Sequence, residues 1–282
     1  MPKGAVNGVQ LFYEIHGSGE PVLQVGGAVS GHEGYASVTA TMAEHFTVID
    51  FDHRGYGQSD RPKQKYTFDV WADDMAGLLD ALQINLTHVH GGSMGSSLAV
   101  RYAAKYPDRV DGLVLSGCTA RSDAMAKAQY VVWKALARSY GTGSTELASM
   151  LCQNAVSRNY LDGPHGGEEL VRAMQDVAAR NVGVDVFCDA CDALSGVDVI
   201  DQVAGITAPT LVIVGDEDNL TPADQGLTGA GGRQIYEQLT NAQFKEYVEI
   251  RGCGHGNLLE RPEESNDAVI SFLKRVSASR AR

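Results

Sequence analysis

Short apolar runs of strand length alternate with segments of helical period along most of this chain, and that alternation is the strongest constraint on its fold. Val6 and residues 9–15 flank Asn7-Gly8, a dipeptide suited to a tight hairpin turn. Residues 21–25 and 46–51 follow as strands. Trp71, Met75, Leu78, Leu79 and Leu82 recur at helical spacing and predict an amphipathic helix over 67–83. A strand at 86–90 comes next, then a helical face of Met94, Leu98, Ala99, Tyr102 and Tyr106 closed by Pro107, then a buried strand at 110–115. The rhythm resumes with a strand at 210–214, a helix near 232–240, a strand at 244–250 and a last helix opened by Pro262-Glu263-Glu264. Strand alternating with helix predicts an α/β fold with a mostly parallel central sheet covered on both faces.

Between 115 and 210 the alternation lapses into helical texture. Met125, Tyr130, Trp133, Tyr140, Met150, Tyr160, Met174 and Phe187 lie there, more large apolar groups than a solvated connection carries, so the stretch reads as a helical insertion. The expected organisation is a core in two parts, 1–119 and 206–282, interrupted by a helical cap over 120–205. A chain of 282 residues, 44% hydrophobic and 21% charged, suits one large domain carrying an insertion.

Charge narrows the partners. Lys plus Arg number 23 and Asp plus Glu 35, a net charge of −12, which argues against nucleic acid and against an anionic membrane surface. A small molecule is the expected partner, and the sequence is compatible with a homodimer. Met1-Pro2-Lys3-Gly4-Ala5 shows no basic patch running into an apolar stretch, and no long apolar run follows, so a soluble cytoplasmic protein is expected. Five cysteines fit reduced thiols in such a compartment. Cys188-x-x-Cys191 has no second pair at zinc-site spacing and reads as two packed helix positions.

Gly91-Gly92-Ser93-Met94-Gly95 falls where a strand ends and a helix begins. A bend that sharp holds the serine in a strained conformation, and the glycines two before and two after it let the backbone pass closely. The N–H groups of the first helical turn, Met94 among them, point to the same place and favour a developing oxyanion. A serine hydroxyl is a weak nucleophile unless a base and an orienting anion reach it. Candidates for both follow in order. After the strand at 210–214 comes Gly215-Asp216-Glu217-Asp218, a carboxylate-rich loop, and after the strand at 244–250 comes Gly252-Cys253-Gly254-His255-Gly256. Asp216 and Asp218 compete for the acid position. Among other histidines, His88 and His90 lie two apart on a strand, a spacing that would suit metal ligands only with a carboxylate pair nearby, and none is expected. His53, beside Asp52, reads as stabilising its turn rather than lining a rim, and His165, between Pro164 and Gly166, as surface.

With these segments in place, the chain resembles the α/β-hydrolase fold family over nearly its whole length, and within it the serine-nucleophile branch of esterases and lactonases, similar to enol-lactonases of the 3-oxoadipate type. Asp52-His53-Arg54-Gly55-Tyr56-Gly57-Gln58-Ser59-Asp60 resembles the family's D-x-R-G-x-G-x-S loop, and residues 22–28 its strand and oxyanion loop. The resemblance implies Ser93 as nucleophile, His255 as base and Asp218 as acid, with the backbone N–H groups of Ala28 and Met94 as oxyanion donors. Gly27, Tyr130, Trp133 and Tyr160 are the expected substrate-lining residues, and neither metal nor cofactor is implied. Three positions depart from the family pattern: Gly26 stands for the usual His, Gly92 for a larger residue, and Ser96 for a common Gly. The activity implied is hydrolysis of a carboxylic ester or lactone of a small to medium, mostly apolar molecule through an acyl-enzyme. A carbon–carbon bond hydrolase of ring-cleavage diketo acids would use the same triad, and a small-molecule receptor could be built on the same fold.

Overall fold

The computed structural model describes residues 2–280. Eight strands form one sheet: β1 (Lys3–Val6), β2 (Val9–Gly17), β3 (Pro21–Val25), β4 (Thr47–Phe51), β5 (Thr87–Gly92), β6 (Val110–Ser116), β7 (Thr210–Gly215) and β8 (Lys245–Ile250), in the order β1-β2-β4-β3-β5-β6-β7-β8. β2 pairs antiparallel with β1 and β4, and every pairing from β4 through β8 is parallel. Asn7 takes a positive φ of 47° and Gly8 one of 81°, the backbone that the Asn-Gly hairpin turn requires.

Six helices cover the sheet or close its ends: α1 (Ala36–Ala43), α2 (Phe68–Ala81), α3 (Met94–Lys105), α10 (Gly232–Gln238), α11 (Asn257–Glu260) and α12 (Pro262–Arg280). Strand side chains alternate between two buried layers. Leu23, Ile49, Val89, Leu113, Leu115, Val212 and Val214 pack with Trp71, Met75, Leu98 and Tyr102 from α2 and α3. Val22, Val48, Val114, Leu211 and Ile213 pack with Met42 of α1 and with Val269, Phe272 and Leu273 of α12. Both faces of the sheet are therefore buried, as a parallel sheet demands.

The insertion between β6 and β7 holds α4 (Ala124–Tyr140), α5 (Thr145–Ala155), α6 (Arg158–Leu161), α7 (Gly167–Asn181), α8 (Val184–Ser195) and α9 (Ile200–Val203). Three of them start on side-chain caps the sequence supplies: Asp123 accepts the Ala126 N–H at 2.8 Å for α4, and Ser144 and Ser157 do the same for Leu147 of α5 and Tyr160 of α6. Cys188 and Cys191 are buried on α8 as free thiols. No helix among the described residues is long and apolar enough to cross a membrane.

Strand order places the site. From β3 the chain first builds outward to β4, then crosses back to lay β5 on the other side of β3. The loops leaving β3 and β5 consequently diverge from adjacent strand ends, and a parallel sheet binds ligands in the crevice at such a switch point.

Candidate active site

Ser93 sits at that switch point, between the end of β5 and the first residue of α3. Its backbone is held at φ 57°, ψ −124°, a conformation in the left-handed half of the map that a side chain strains to adopt. Its N–H donates to the Ser116 carbonyl at 2.9 Å, anchoring the bend to β6. The surrounding glycines are sterically required. A Cβ on Gly91 would lie 2.3 Å from the Gly95 carbonyl oxygen, and one on Gly95 would lie 1.9 Å from that of Val25. Gly92 has its own reason for being small: a Cβ there would meet the Tyr35 hydroxyl at 2.9 Å, and that hydroxyl lies 3.1 Å from the Val25 carbonyl and 3.0 Å from that of His90. Ser96 uses its hydroxyl to donate to the Ser93 carbonyl at 2.6 Å.

The loop after β3 is pinned at several points. Gly27 donates its N–H to Ser30 Oγ at 3.2 Å, and the Ala28 carbonyl accepts the Tyr56 hydroxyl at 3.1 Å. Gly26 presents its carbonyl to His53 Nε2 at 3.2 Å. Burial among Phe51, Tyr56 and Trp71 pushes His53 down to about 4, so it is neutral and Nε2 carries the proton it donates. His53 is thus neither a rim residue nor merely a turn residue; it supports the β3 loop from below. Asp52 on the same segment accepts the N–H groups of His32 and Gln58, both at 2.7 Å, and Arg54 pairs with buried Asp74. A Cβ on Gly27 would come within 3.3 Å of Ser93 Cβ, which shows how closely this loop approaches the serine. Met94 opens α3, so its N–H has no acceptor within the helix and lies beside Ser93.

The carboxylate and the histidine arrive on the loops after β7 and β8. Gly215 ends β7, and a Cβ there would collide with the Cys253 and Gly254 carbonyls at 2.2 Å, so the glycine lets the histidine loop close onto the strand. Asp218 Oδ2 lies 3.0 Å from His255 Nδ1 and accepts the Thr221 hydroxyl at 2.8 Å, while Oδ1 accepts the N–H groups of Leu220 and Thr221, each at 2.8 Å. Burial alone would raise the Asp218 pKa, but its electrostatic contact and hydrogen bond with His255, with the hydrogen bonds from Thr221, outweigh it and hold the carboxyl below its ordinary value. An ionised carboxylate only accepts, so His255 Nδ1 carries the proton and Nε2 is left with a lone pair. Nε2 is buried with no hydrogen-bond partner among the described residues.

Asp216 and Asp218 separate by geometry: Asp216 Oδ1 accepts the Gly252 N–H at 2.7 Å and so braces the histidine loop from its backbone side. Two residues that sequence reasoning passed over also bear on this loop. Thr221 touches both Asp218 and His255, the latter at 2.9 Å from Nδ1. Glu260 is buried and accepts the Gly254 N–H at 2.8 Å and the Ser157 N–H at 3.0 Å.

A cavity of about 410 Å³ lies between the strand ends and the insertion, lined by Ser93, Met94 and His255 below and by residues of α4, α5, α7 and α8 above. Gly27, Ala28, Tyr130 and Trp133 line it. Tyr160 is not among the lining residues: it stands on the single turn α6 and packs against Cys152, Val156 and Leu170, which themselves line the cavity. His90 is buried with Nε2 3.1 Å from Ser116 Oγ, and burial lowers its pKa to about 3. His88 does find two carboxylates, Glu20 at 3.3 Å and Asp111 at 3.4 Å, contrary to the expectation of none; Arg280 reaches the same two. His90 belongs to no such group, so the two strand histidines do not form one ligand set. His165 is exposed.

The chain is an enzyme of the α/β hydrolase family: the α/β hydrolase fold matches residues 20–262. Among its relatives is 2-hydroxymuconate semialdehyde hydrolase of Pseudomonas sp. strain CF600, 27% identical over 96% of this chain and 93% of that protein. The enol-lactonase from Burkholderia xenovorans LB400 superposes with a TM-score of 0.85 at 26% identity, covering 97% of this chain and 100% of the other. A thermophilic esterase from Thermogutta terrifontis superposes with a TM-score of 0.82 at 26% identity over 98% of both chains.

Proposed function

We propose that this protein is a serine hydrolase that cleaves a carboxylic ester or lactone of a small to medium, mostly apolar molecule through an acyl-enzyme. The observation that carries this reading is that a strained Ser93 lines the same cavity as a His255 whose Nδ1–H is held by Asp218 and whose Nε2 has no hydrogen-bond partner among the described residues. In the proposed cycle Nε2 takes the Ser93 proton as Oγ attacks the carbonyl carbon. The N–H groups of Ala28 and Met94 receive the oxyanion, and the imidazolium, stabilised by Asp218, returns its proton to the departing alkoxide. Water activated by the same nitrogen then attacks the acyl-enzyme and frees the acid and Ser93. The named enol-lactonase and esterase among the structural neighbours agree with ester chemistry.

The muconate semialdehyde hydrolase relative favours a second reading, carbon–carbon bond hydrolysis of a ring-cleavage diketo acid. Labelling with a fluorophosphonate, followed by mass spectrometry, tests the shared part: the adduct is expected on Ser93 and nowhere in Ser93→Ala. An ester and lactone panel run beside a coloured diketo-acid enolate separates the two readings. Bleaching of the enolate without ester turnover would overturn the first.

A further inference from the structure

The inner side of α4 is buried and gives Tyr130 and Trp133 to the cavity wall. Its outer side is apolar as well, and no described residue covers it. Of the eight large apolar side chains exposed among the described residues, four stand on α4: Met125 at 75%, Val131 at 62%, Val132 at 42% and Tyr140 at 62%. Ala124, Ala128 and Ala135 are exposed beside them. Leu227, fully exposed, is carried to the start of this face by a loop packed on Asp123. A Cβ on Gly226 would lie 3.3 Å from Asp123 Oδ2, and one on Gly229 would lie 2.9 Å from Asp123 Cβ.

Spacing, charge and area together specify what covers this face. Met125, Ala128, Val132, Ala135 and Ser139 follow one another by three and four residues, the seam by which one helix packs against another. Alanines along it let a partner's backbone approach closely, whereas the Trp and Phe with which a surface helix enters a bilayer are absent from this side. The chain's net charge of −12 opposes an anionic bilayer, yet α4 itself holds no Asp or Glu, so two copies can meet here without setting carboxylates of this helix against each other. Met125, Val131, Val132, Leu227 and the alanines expose about 600 Å² from one copy, so a pair would bury about 1,200 Å², within the range of specific interfaces. A twofold axis sets each stripe against its copy and closes the assembly at two chains.

We propose that the outer face of α4, with Leu227 at its end, joins two copies of this chain in a symmetric dimer. Because Tyr130 and Trp133 stand on the opposite side of the same helix, the partner braces the cavity wall from outside.

Sedimentation velocity of the full chain from about 0.5 to 100 μM tests this, with the wild type expected to dimerise at a Kd no weaker than about 10 μM. Val132→Glu and Ala128→Glu each change an exposed position, so the monomer loses no packing, but each sets a charge in the dry centre of the contact and should raise Kd at least about 100-fold. Leu86→Glu, at an exposed apolar position before β5 and at the opposite end of the sheet from the cavity, should leave Kd unchanged. A wild type that stays monomeric to about 100 μM, a dimer that survives both α4 variants, or one that Leu86→Glu breaks equally overturns the proposal. Flotation with vesicles of phosphatidylcholine and phosphatidylglycerol is the second arm: a monomer that binds them, and no longer does so as Val132→Glu, overturns it in favour of a lipid surface.

Discussion

Ser157 donates its hydroxyl to Glu260 at 2.5 Å, and this contact ties the helical insertion to the loop that carries His255. Glu260 also gathers the Gly254 and Ser157 N–H groups, and Gly256 donates to the Ala155 carbonyl at 2.6 Å, so residues 155–157 and 254–256 run as one clasped pair. Removing the carboxylate strands two buried N–H donors and a hydroxyl. Glu260→Ala should therefore lose about 3 kcal/mol of stability in urea unfolding, and Glu260→Gln, which keeps an acceptor, clearly less. If Glu260 positions His255, kcat should also fall in the Ala variant while Glu260→Gln restores most of it; equal turnover in both would show the clasp to be structural only.

Asp216 and Asp218 offer a sharper contrast on one loop. Asp218 faces the imidazole, whereas Asp216 accepts a backbone N–H at 2.7 Å. Asp218→Asn can no longer hold the Nδ1–H tautomer and should lower kcat by about 10⁴-fold. Asp216→Asn retains a carbonyl acceptor for Gly252 and should cost less than about tenfold. Steady-state kinetics on one activated ester decides between them, and comparable losses would remove the distinction.

The parts of this molecule legible in its sequence are those where local chemistry and tertiary demand agree. The Asn7-Gly8 turn, the β5–Ser93–α3 bend and the strand rhythm to β8 each follow from short-range patterns that the packed structure merely completes. The helix α1 is different: its sequence, Ala-Ser-Val-Thr-Ala-Thr-Met-Ala, has few strong apolar positions, and Val38, Thr39 and Met42 are buried because β4 and α12 meet it. Thr221 and Glu260 carry no signal in one sequence, since their meaning lies in partners brought from other segments. Tyr160 shows the converse. Its aromatic character suggested a cavity wall, but a residue type cannot report which side of a one-turn helix faces the cavity.

The strain at Ser93 is separable from its chemistry. Both Ser93→Ala and Ser93→Gly remove the hydroxyl, and each should lose about a million-fold in kcat. Only glycine occupies φ 57°, ψ −124° without a Cβ penalty. Ser93→Gly should accordingly be more stable than Ser93→Ala by about 1 kcal/mol, the relief of strain exceeding the entropy glycine adds to the unfolded chain. Urea midpoints at constant slope measure the difference, and a less stable Gly variant would show that the surrounding hydrogen bonds, and not the elbow backbone, bear the cost.

Asp50 sets a pH dependence away from the catalytic groups. It is buried on β4, Oδ2 accepts the Thr39 hydroxyl at 3.0 Å, and Oδ1 has no partner among the described residues. Burial raises its pKa from 3.8 to about 6, the Thr39 bond and the neighbouring His16 and His32 offsetting only part of that. Because the folded value exceeds the unfolded one, the folded state holds the proton more tightly, and stability falls as pH rises between those two values and then levels off. That rise corresponds to about 3 kcal/mol of stability lost by neutral pH. Asp50→Asn keeps an acceptor for Thr39 and cannot ionise, so it should match the wild type near pH 4 and exceed it by about 2–3 kcal/mol at pH 8. Urea unfolding of both proteins at about pH 4, 6 and 8 reads this directly; a stability gap that stays constant across that range, or closes as the pH rises, would mean that Asp50 is not the group that titrates.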